Sequence, residues 1–148
     1  FTIEFWMNSP TSATAAVIYD NRLYTSNNTG CFQFYHQSGT LYVYGGPTTN
    51  ILLCSASITY NQWNHIAFVR SGSSSGNCKL YINGVLASGV YYGYGDARLG
   101  GAGIRLMRRW DGDNYWHGEL AIVRMYDKAL SPIAVTENFY ANRKRFNL

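Results

Sequence analysis

Residues 108–116 bring together several side chains whose chemistry suits the recognition of a polar ligand. Aromatic rings, carboxylates and an amide follow one another here as Trp110, Asp111, Asp113, Asn114 and Tyr115. An aromatic ring can stack on the C–H face of a sugar, and carboxylates and amides bind its hydroxyl groups. Tyr92 and Tyr94 form a second aromatic group shortly before this segment. We predict that these residues form a carbohydrate- or partner-binding site on loops of a rigid scaffold.

Large aromatic side chains also fill the cores of β-proteins, so each ring near this segment has two interpretations. We expect Trp116 to be mostly buried, and Trp110 and Tyr94 to be more exposed. Only the exposed rings would then be available to a ligand.

Asp111 and Asp113 are also the candidate ligands of a calcium ion. Ca²⁺ takes about six to eight oxygen ligands from carboxylates, carbonyls and water. A second set of oxygen donors is Asp20, Asn21, Asn27 and Asn28. Neither set follows the EF-hand spacing. The alternative is an Asp-Gly turn whose side chains bind their own backbone, and no cofactor other than calcium is indicated.

The acidic residues are too few and too scattered for a glycosidase. Such enzymes use two carboxyl groups that flank the scissile bond, whereas the only acids two positions apart among the eight are Asp111 and Asp113. His36, His65 and His117 are far apart in the sequence, and no serine or cysteine has a nucleophile-elbow context. We therefore predict that the chain is not an enzyme.

The cysteines and the basic residues restrict the remaining functions. Three cysteines, Cys31, Cys54 and Cys78, leave two alternatives: three buried thiols, or one disulfide with one free thiol. The net charge of +4 comes largely from two basic clusters, at residues 105–109 and 143–145. Clusters of this kind are typical of solvated surface, and no nucleic-acid-binding module is present. Nucleic acid is therefore not an expected partner.

The composition is that of a folded β-protein. The 148 residues include 13 Tyr and 15 Gly, with 47% hydrophobic and 14% charged residues, which favours strands joined by tight turns. The length corresponds to one domain. No apolar stretch reaches the roughly 18 residues that a membrane-spanning helix needs.

Alternation of apolar and polar residues predicts many short strands. We expect them at residues 1–7, 13–19, 31–36, 41–44, 51–57, 63–70, 79–82, 85–88, 97–100 and 119–126. Asn83-Gly84 suits a type I′ hairpin turn, and residues 101–115 are predicted to form a long loop. Ser131 followed by Pro132 predicts the start of a short helix that ends near residue 141.

Four segments, at residues 1–6, 63–70, 80–85 and 116–131, resemble in their order and spacing the laminin-G-like, concanavalin A-like lectin-glucanase family. The resemblance covers nearly the whole chain. It implies an all-β fold, a two-sheet antiparallel jelly-roll sandwich with one short C-terminal helix, as a single domain over residues 1–148. Gly118 would let the last strand cross closely under its neighbour.

The chain departs from the family pattern at its start. Family members usually carry a strand before the segment at residues 1–6, and that strand pairs near the C-terminal strand. Without it the sheet would have an exposed edge, which can pair with another chain. We expect the strand to come from a preceding segment or from another chain.

The resemblance implies a binding or scaffolding role, as in phage and virus surface proteins. Our first hypothesis is a non-catalytic virion structural, decoration or fibre domain on the virion surface. Its partners would be other virion subunits in a homo- or hetero-oligomeric assembly, and host surface glycans. The tyrosine content and an ending at residues 143–146 that resembles phage proteins favour this hypothesis. The alternative is a secreted or cell-surface carbohydrate-binding adhesion module, located outside the cell.

Overall fold

The computed structural model of the chain describes residues 1–11, 15–22, 31–46, 51–72, 77–87, 103–109 and 111–148. These residues form ten strands, one α-helix (α1) and a 3-10 helix. The strands are β1 Thr2–Asn8, β2 Ala16–Asp20, β3 Cys31–Gln37, β4 Thr40–Gly46, β5 Ile51–Ser57, β6 Trp63–Arg70, β7 Cys78–Ile82, β8 Val85–Leu86, β9 Arg105–Leu106 and β10 Glu119–Tyr126. The helices are α1 Pro132–Asn142 and the 3-10 helix Arg143–Phe146.

The strands pair into two antiparallel sheets of five strands each. The first sheet has the order β10-β1-β6-β7-β8, and the second sheet has the order β5-β4-β3-β2-β9. The first and last strands, β1 and β10, are neighbours in space although they are distant in the chain. The predicted two-sheet jelly-roll sandwich with one short C-terminal helix is confirmed.

Aromatic side chains fill the space between the sheets. Because successive side chains of a strand point to opposite faces, alternate residues of β1 and β3 face inward. Phe5 of β1 meets Phe34 of β3 edge to face, with ring centroids 5.2 Å apart. Phe34 also meets Phe68 of β6 at 5.8 Å. These rings form one core cluster with Trp116, which is buried as predicted.

The outer face of the first sheet is buried as well, because α1 and the 3-10 helix cover it. Trp6 stacks on Phe139 of α1 at 5.8 Å and on Phe146 of the 3-10 helix at 4.2 Å. The helix begins where the sequence predicts, since Ser131 Oγ accepts a hydrogen bond from the Ala134 backbone N–H at 3.1 Å. The residues of β1 that point away from the core between the sheets are therefore buried too.

Glu4 is the charged residue at the centre of this covered face, and it is 1% exposed. Tyr126 Oη and Asn138 Nδ2 each donate a hydrogen bond to Glu4 Oε2 at 2.9 Å, and His65 Nε2 lies 3.5 Å from Oε1. Burial by itself raises the pKa of Glu4. The interactions with His65, Asn138 and Tyr126 outweigh burial and hold this pKa below its usual 4.5.

Of two predictions about turns and loops, the turn is confirmed and the loop is wrong in part. Asn83 and Gly84 both have positive φ, at 52° and 78°, as a type I′ turn requires. The long loop predicted at residues 101–115 is wrong in part, since it contains β9, which pairs with Tyr19 and Asp20 of β2. Two residues are too few to show the alternation of apolar and polar residues from which the strands were predicted. The strand predicted at residues 97–100 lies outside the described residues.

Gly118 lies at a close crossing before β10, as the sequence predicts. A Cβ atom at this position would lie 2.2 Å from Trp116 Cζ2 and 2.5 Å from the backbone oxygen of Asn8. Neither neighbour can move easily, because Trp116 is packed in the core and Asn8 belongs to β1.

We predict that Gly118→Ala lowers the free energy of unfolding by about 1–3 kcal/mol, the range for overpacked sites. Urea denaturation followed by tryptophan fluorescence measures this change. Gly103→Ala is the matched control, because a Cβ there meets nothing within 4 Å. Equal stability of the two variants would contradict the close crossing.

We predict that Glu4→Gln destabilises the protein by about 1–3 kcal/mol at neutral pH, since a buried acceptor for two donors is altered. Because the folded pKa lies below the usual 4.5, the carboxylate stabilises the fold fully above that pH. This contribution is lost as the pH falls through the folded pKa. The stability gap between wild type and variant should therefore narrow in acid.

Urea denaturation at a series of pH values measures the gap. Glu137→Gln is the control, because Glu137 is exposed on α1. A gap that stays constant between neutral and acidic pH would refute the role assigned to the Glu4 charge.

Candidate binding site on the second sheet

Three tyrosines lie side by side on the outer face of the second sheet. Tyr35 of β3 is paired with Tyr42 of β4, and their ring centroids are 6.5 Å apart. Tyr44 lies 6.3 Å from Tyr35 and 6.0 Å from Tyr42, with which it is stacked. We call these three residues the tyrosine cluster. The cluster is half-buried, so its rings are open to contact with a ligand.

An ion pair between Arg22 and Asp20 fixes one side of this face. Arg22 Nε and Nη2 each donate to a different carboxylate oxygen of Asp20 at 2.8 Å. The Arg22 backbone N–H also donates to Asp20 Oδ1, at 2.9 Å. Both side chains are almost completely buried. A two-point contact of this kind holds the guanidinium plane in one orientation.

Residues 107–109 and 111–116 form the opposite wall. The Met107 N–H donates to the Ile18 carbonyl at 2.7 Å, and the Val17 N–H donates to the Asn114 carbonyl at 3.2 Å. These two backbone bonds attach both ends of the loop to β2. The loop therefore lies beside the tyrosine cluster as a fixed part of the second sheet.

The tip of the loop is closed by Arg109 and Asp111. Arg109 Nε donates to Asp111 Oδ1 at 2.9 Å, and Arg109 Nη2 donates to Asp111 Oδ2. The Arg109 N–H also donates to the Asp113 carbonyl at 3.1 Å. The Arg109 guanidinium lowers the pKa of Asp111 to about 2, so this carboxylate is ionised at neutral pH and bound to its own loop.

These elements enclose an open cavity of about 310 Å³. Among the described residues, its lining comes from β2 and the residues that follow it, from β3 and β4, and from the loop, and consists of Val17, Arg22, Gln33, Tyr35, Tyr44, Arg109 and Asn114. Ring faces and polar groups thus meet in one concave surface. A site with aromatic walls and a few fixed polar groups is the usual form of a small-ligand site.

The Tyr44 hydroxyl remains protonated at neutral pH. Burial, with the neighbouring phenols of Tyr42 and Tyr35, raises the pKa of Tyr44. A phenol hydroxyl can both donate and accept a hydrogen bond. Gln33 and Asn114 add amide donors and acceptors on either side. The cavity can therefore hold a ligand that carries many hydroxyl groups.

The structure places the residues predicted for the site in three ways. Asn114 lines the cavity, at its loop wall. Asp111 and Asp113 lie at the exposed tip of the loop, and Tyr115 is 52% exposed. Trp110, Tyr92 and Tyr94 lie outside the described residues. Their roles stay predictions, as does the role of the whole predicted set.

The calcium role predicted for Asp111 and Asp113 stays a prediction, and Asn27 and Asn28 of the second donor set lie outside the described residues. Both oxygens of Asp111 are bound by Arg109, and no three histidine, cysteine, aspartate or glutamate residues come close enough to hold a metal ion among the residues described. The Asp113 backbone N–H donates to Asp111 Oδ1 at 3.2 Å, as in the alternative interpretation, a turn whose side chain binds its own backbone.

One acid and one histidine lie together in the described structure, Glu4 and His65 with Oε1 and Nε2 3.5 Å apart, and this pair lies away from the cavity. Asp20 and Asp111 are each bound by an arginine, and Glu4 is buried beneath α1 on the other sheet. His36 and His65 are buried, while His117 is exposed. His36 has a lowered pKa because it is buried. No pair of carboxylates lines the cavity within the described ranges.

The tyrosine cluster was not predicted from the sequence, although a signal was present. In β3, Phe32 and Phe34 alternate with Tyr35 on the other side. Tyr42 and Tyr44 have the same alternation in β4. Aromatic residues at the outward positions of two paired strands predict an aromatic outer face. Arg22 carried no comparable signal, because its ion pair depends on a local backbone turn.

The fold is thus an antiparallel sandwich with a tyrosine-lined cavity on one outer face. A laminin-G family model, described as the Concanavalin A-like lectin/glucanases superfamily, matches residues 1–136. The chain therefore belongs to this laminin-G type of the concanavalin A-like superfamily. A search among curated proteins gave no match.

Solved structures of toxin binding domains have a similar fold. The receptor-binding domain of botulinum neurotoxin type G has a TM-score of 0.73 at 13% identity, over 95% of this chain and 38% of that chain. The binding domain of botulinum neurotoxin DC was solved in complex with rat synaptotagmin II, with a TM-score of 0.64, and in complex with SialylT, with a TM-score of 0.65. Both are 17% identical to this chain, over 95% of it and 35% of the toxin chain. This chain spans little more than a third of those chains, and the likeness shows the fold alone.

Proposed function

We propose that the chain is a non-catalytic binding module that holds a glycan in the cavity beside the tyrosine cluster. The observation that carries the proposal is the position of Tyr35 and Tyr44 in the same wall as Gln33, with Asn114 facing them from the loop. Ring faces suit the C–H surface of a sugar, and the amides and phenols suit its hydroxyls.

The charges in the cavity favour a neutral sugar over an acidic one. Arg22 and Arg109 are the two cationic side chains in its lining, and each already binds a carboxylate of its own, Asp20 or Asp111. An anionic ligand would have to compete with these carboxylates. A neutral sugar can bind without disturbing either ion pair.

The structural neighbours support a binding role without determining the ligand. Two of them are binding domains solved with a protein, rat synaptotagmin II, and with SialylT. This chain matches 35% of each of those chains, so the two complexes do not place a ligand on the shared fold itself. The residues that would bind a sugar here belong to this chain, and fold alone does not define a site.

A second candidate function is a structural role in an assembly, on a virion surface or elsewhere outside the cell. One observation favours it: β10 lies at the edge of the first sheet and pairs with β1 alone among the described strands. Val123 and Met125 on this strand are 37% and 38% exposed. A long unpaired edge can add a strand from another chain. We propose a second copy of this chain as its partner, because two identical antiparallel edges can pair about a twofold axis.

No helix in the described part of the chain has the length and apolar character needed to cross a membrane. Neither candidate function requires one.

Contact with host glycans and with other protein chains can occur on the same module, because the cavity lies on the second sheet and β10 lies on the first.

We predict that Tyr44→Ala weakens glycan binding by about tenfold or more, which corresponds to roughly 1.4 kcal/mol. The reason is the loss of one ring from the wall of the cavity. A glycan array identifies neutral and sialylated binders, and calorimetric titration with a selected neutral glycan then measures the dissociation constant.

Tyr140→Ala is the matched control, because Tyr140 is an exposed tyrosine on α1, away from the cavity. It should bind the glycan as the wild type does, and thermal melting should show both variants folded. Failure of the array to show any glycan, or unchanged binding by Tyr44→Ala, would count against the proposed site. Binding of sialylated glycans alone would contradict the neutral class.

For the assembly role, we predict that the chain self-associates and that Val123→Lys prevents this. A lysine on an edge strand disfavours pairing because its charge would be buried in the new contact. Sedimentation equilibrium from micromolar to millimolar concentration measures the association. Ile133→Lys, at an apolar position of α1 that is 71% exposed, should associate like the wild type. A wild-type chain that stays monomeric throughout this range would exclude pairing between copies through β10.

A further inference from the structure

Two buried cysteines contact each other across the two sheets. Cys54 lies on β5 of the second sheet, and Cys78 lies on β7 of the first sheet. Both are free thiols in the core cluster, at 0% and 3% exposure. β5 packs against β7 here, so the two thiols lie in the same part of the core. Each strand therefore contributes one sulfur to the space between the sheets.

A buried arginine completes this cluster. Arg70 is paired with Cys78 in the register of β6 and β7, and Arg70 Nη1 donates to Cys78 Sγ at 2.8 Å. Arg70 is only 4% exposed. A guanidinium at this distance favours the thiolate form of the sulfur that it contacts.

The two thiols differ in acidity because of these contacts. The interaction with Cys54, together with Arg70, lowers the pKa of Cys78 to about 7 despite its burial. The interaction with Cys78, together with burial, raises the pKa of Cys54. Cys78 is thus the sulfur that reacts first at neutral pH, and Cys54 is the sulfur beside it that can resolve the product.

We propose that Cys54, Cys78 and Arg70 form a peroxide-reactive dithiol site that closes into a disulfide between the sheets. The Cys78 thiolate attacks one oxygen of hydrogen peroxide, the O–O bond breaks, and hydroxide leaves with the sulfur oxidised to a sulfenic acid. Cys54 Sγ then attacks Cys78 Sγ, the S–S bond forms, and the S–O bond breaks. The hydroxyl group leaves with the proton of Cys54 as water. Two thiols and one peroxide give one disulfide and two waters.

The disulfide joins β5 to β7 and closes residues 54–78 into a covalent loop. Such a link restricts the unfolded chain and stabilises the fold. Because both sulfurs lie in the core, a large oxidant is excluded, and hydrogen peroxide reaches them through local opening of the packing. The outer faces of the two sheets keep their structure, so the modification is independent of the glycan site.

The experiment treats the folded chain with one equivalent of hydrogen peroxide. Free thiols are alkylated, and digested peptides are identified by mass. We expect a linked peptide that contains Cys54 and Cys78, a mass lower by two hydrogen atoms, and a melting temperature higher by roughly 10 °C. Cys31→Ser should behave in the same way. Cys54→Ser should be oxidised at Cys78 without any gain in melting temperature.

The role of Arg70 is tested by the dependence of the oxidation rate on pH. Arg70→Gln should move the midpoint of this profile to higher pH, while Arg70→Lys keeps the positive charge and should move it less. If either Arg70 variant does not fold, the comparison of wild type with Cys54→Ser decides the proposal. A linkage to Cys31, or two thiols that stay free in the treated wild type, would overturn it.

Discussion

The alternation of side chains along β3 and β4 determines both the core and the candidate site. Phe32 and Phe34 of β3 point between the sheets, where Phe34 contacts Phe5 at 5.2 Å. Tyr35 and Tyr44 point to the other side and line the cavity. A shift of one residue in the pairing of these strands would exchange the two faces. Phenol hydroxyls would then enter an apolar core, which is unfavourable. The packing of the core therefore also keeps the tyrosines on the outer face of the sheet.

The two sheets differ in what covers their outer faces, and this difference places the cavity. Helix α1 and the 3-10 helix close the outer face of the first sheet, where Trp6 stacks on Phe139 and Phe146. Among the described residues, the loop that Met107 and Asn114 attach to β2 covers the second sheet along that strand. The tyrosines of β3 and β4 beside it stay half-exposed. A ligand can therefore reach the rings of the second sheet, while the same positions in the first sheet serve the stability of the fold.

The sequence predicted the elements with long, regular patterns and missed those that depend on distant contacts. β5, β6 and β10 have the predicted bounds, because their apolar residues alternate or run together over seven or eight positions. β9 was missed because its two residues are a strand only through pairing with β2. The predicted loop does form a wall of the cavity, through Asn114. The tyrosine face was not predicted, since its meaning depends on which strands are neighbours.

The groups around the cavity are held in place before any ligand binds, and this affects what they can recognise. Arg22 is fixed by two contacts of 2.8 Å to Asp20, and Tyr42 and Tyr44 restrict each other's rings by stacking. Groups that are already ordered lose little conformational entropy on binding. Because the arginines keep their own carboxylates, selectivity would depend on the fit of the rings and on the arrangement of the hydroxyl partners. A rigid site whose charges are already paired separates sugars by shape and hydroxyl geometry, and long-range charge contributes little to the choice.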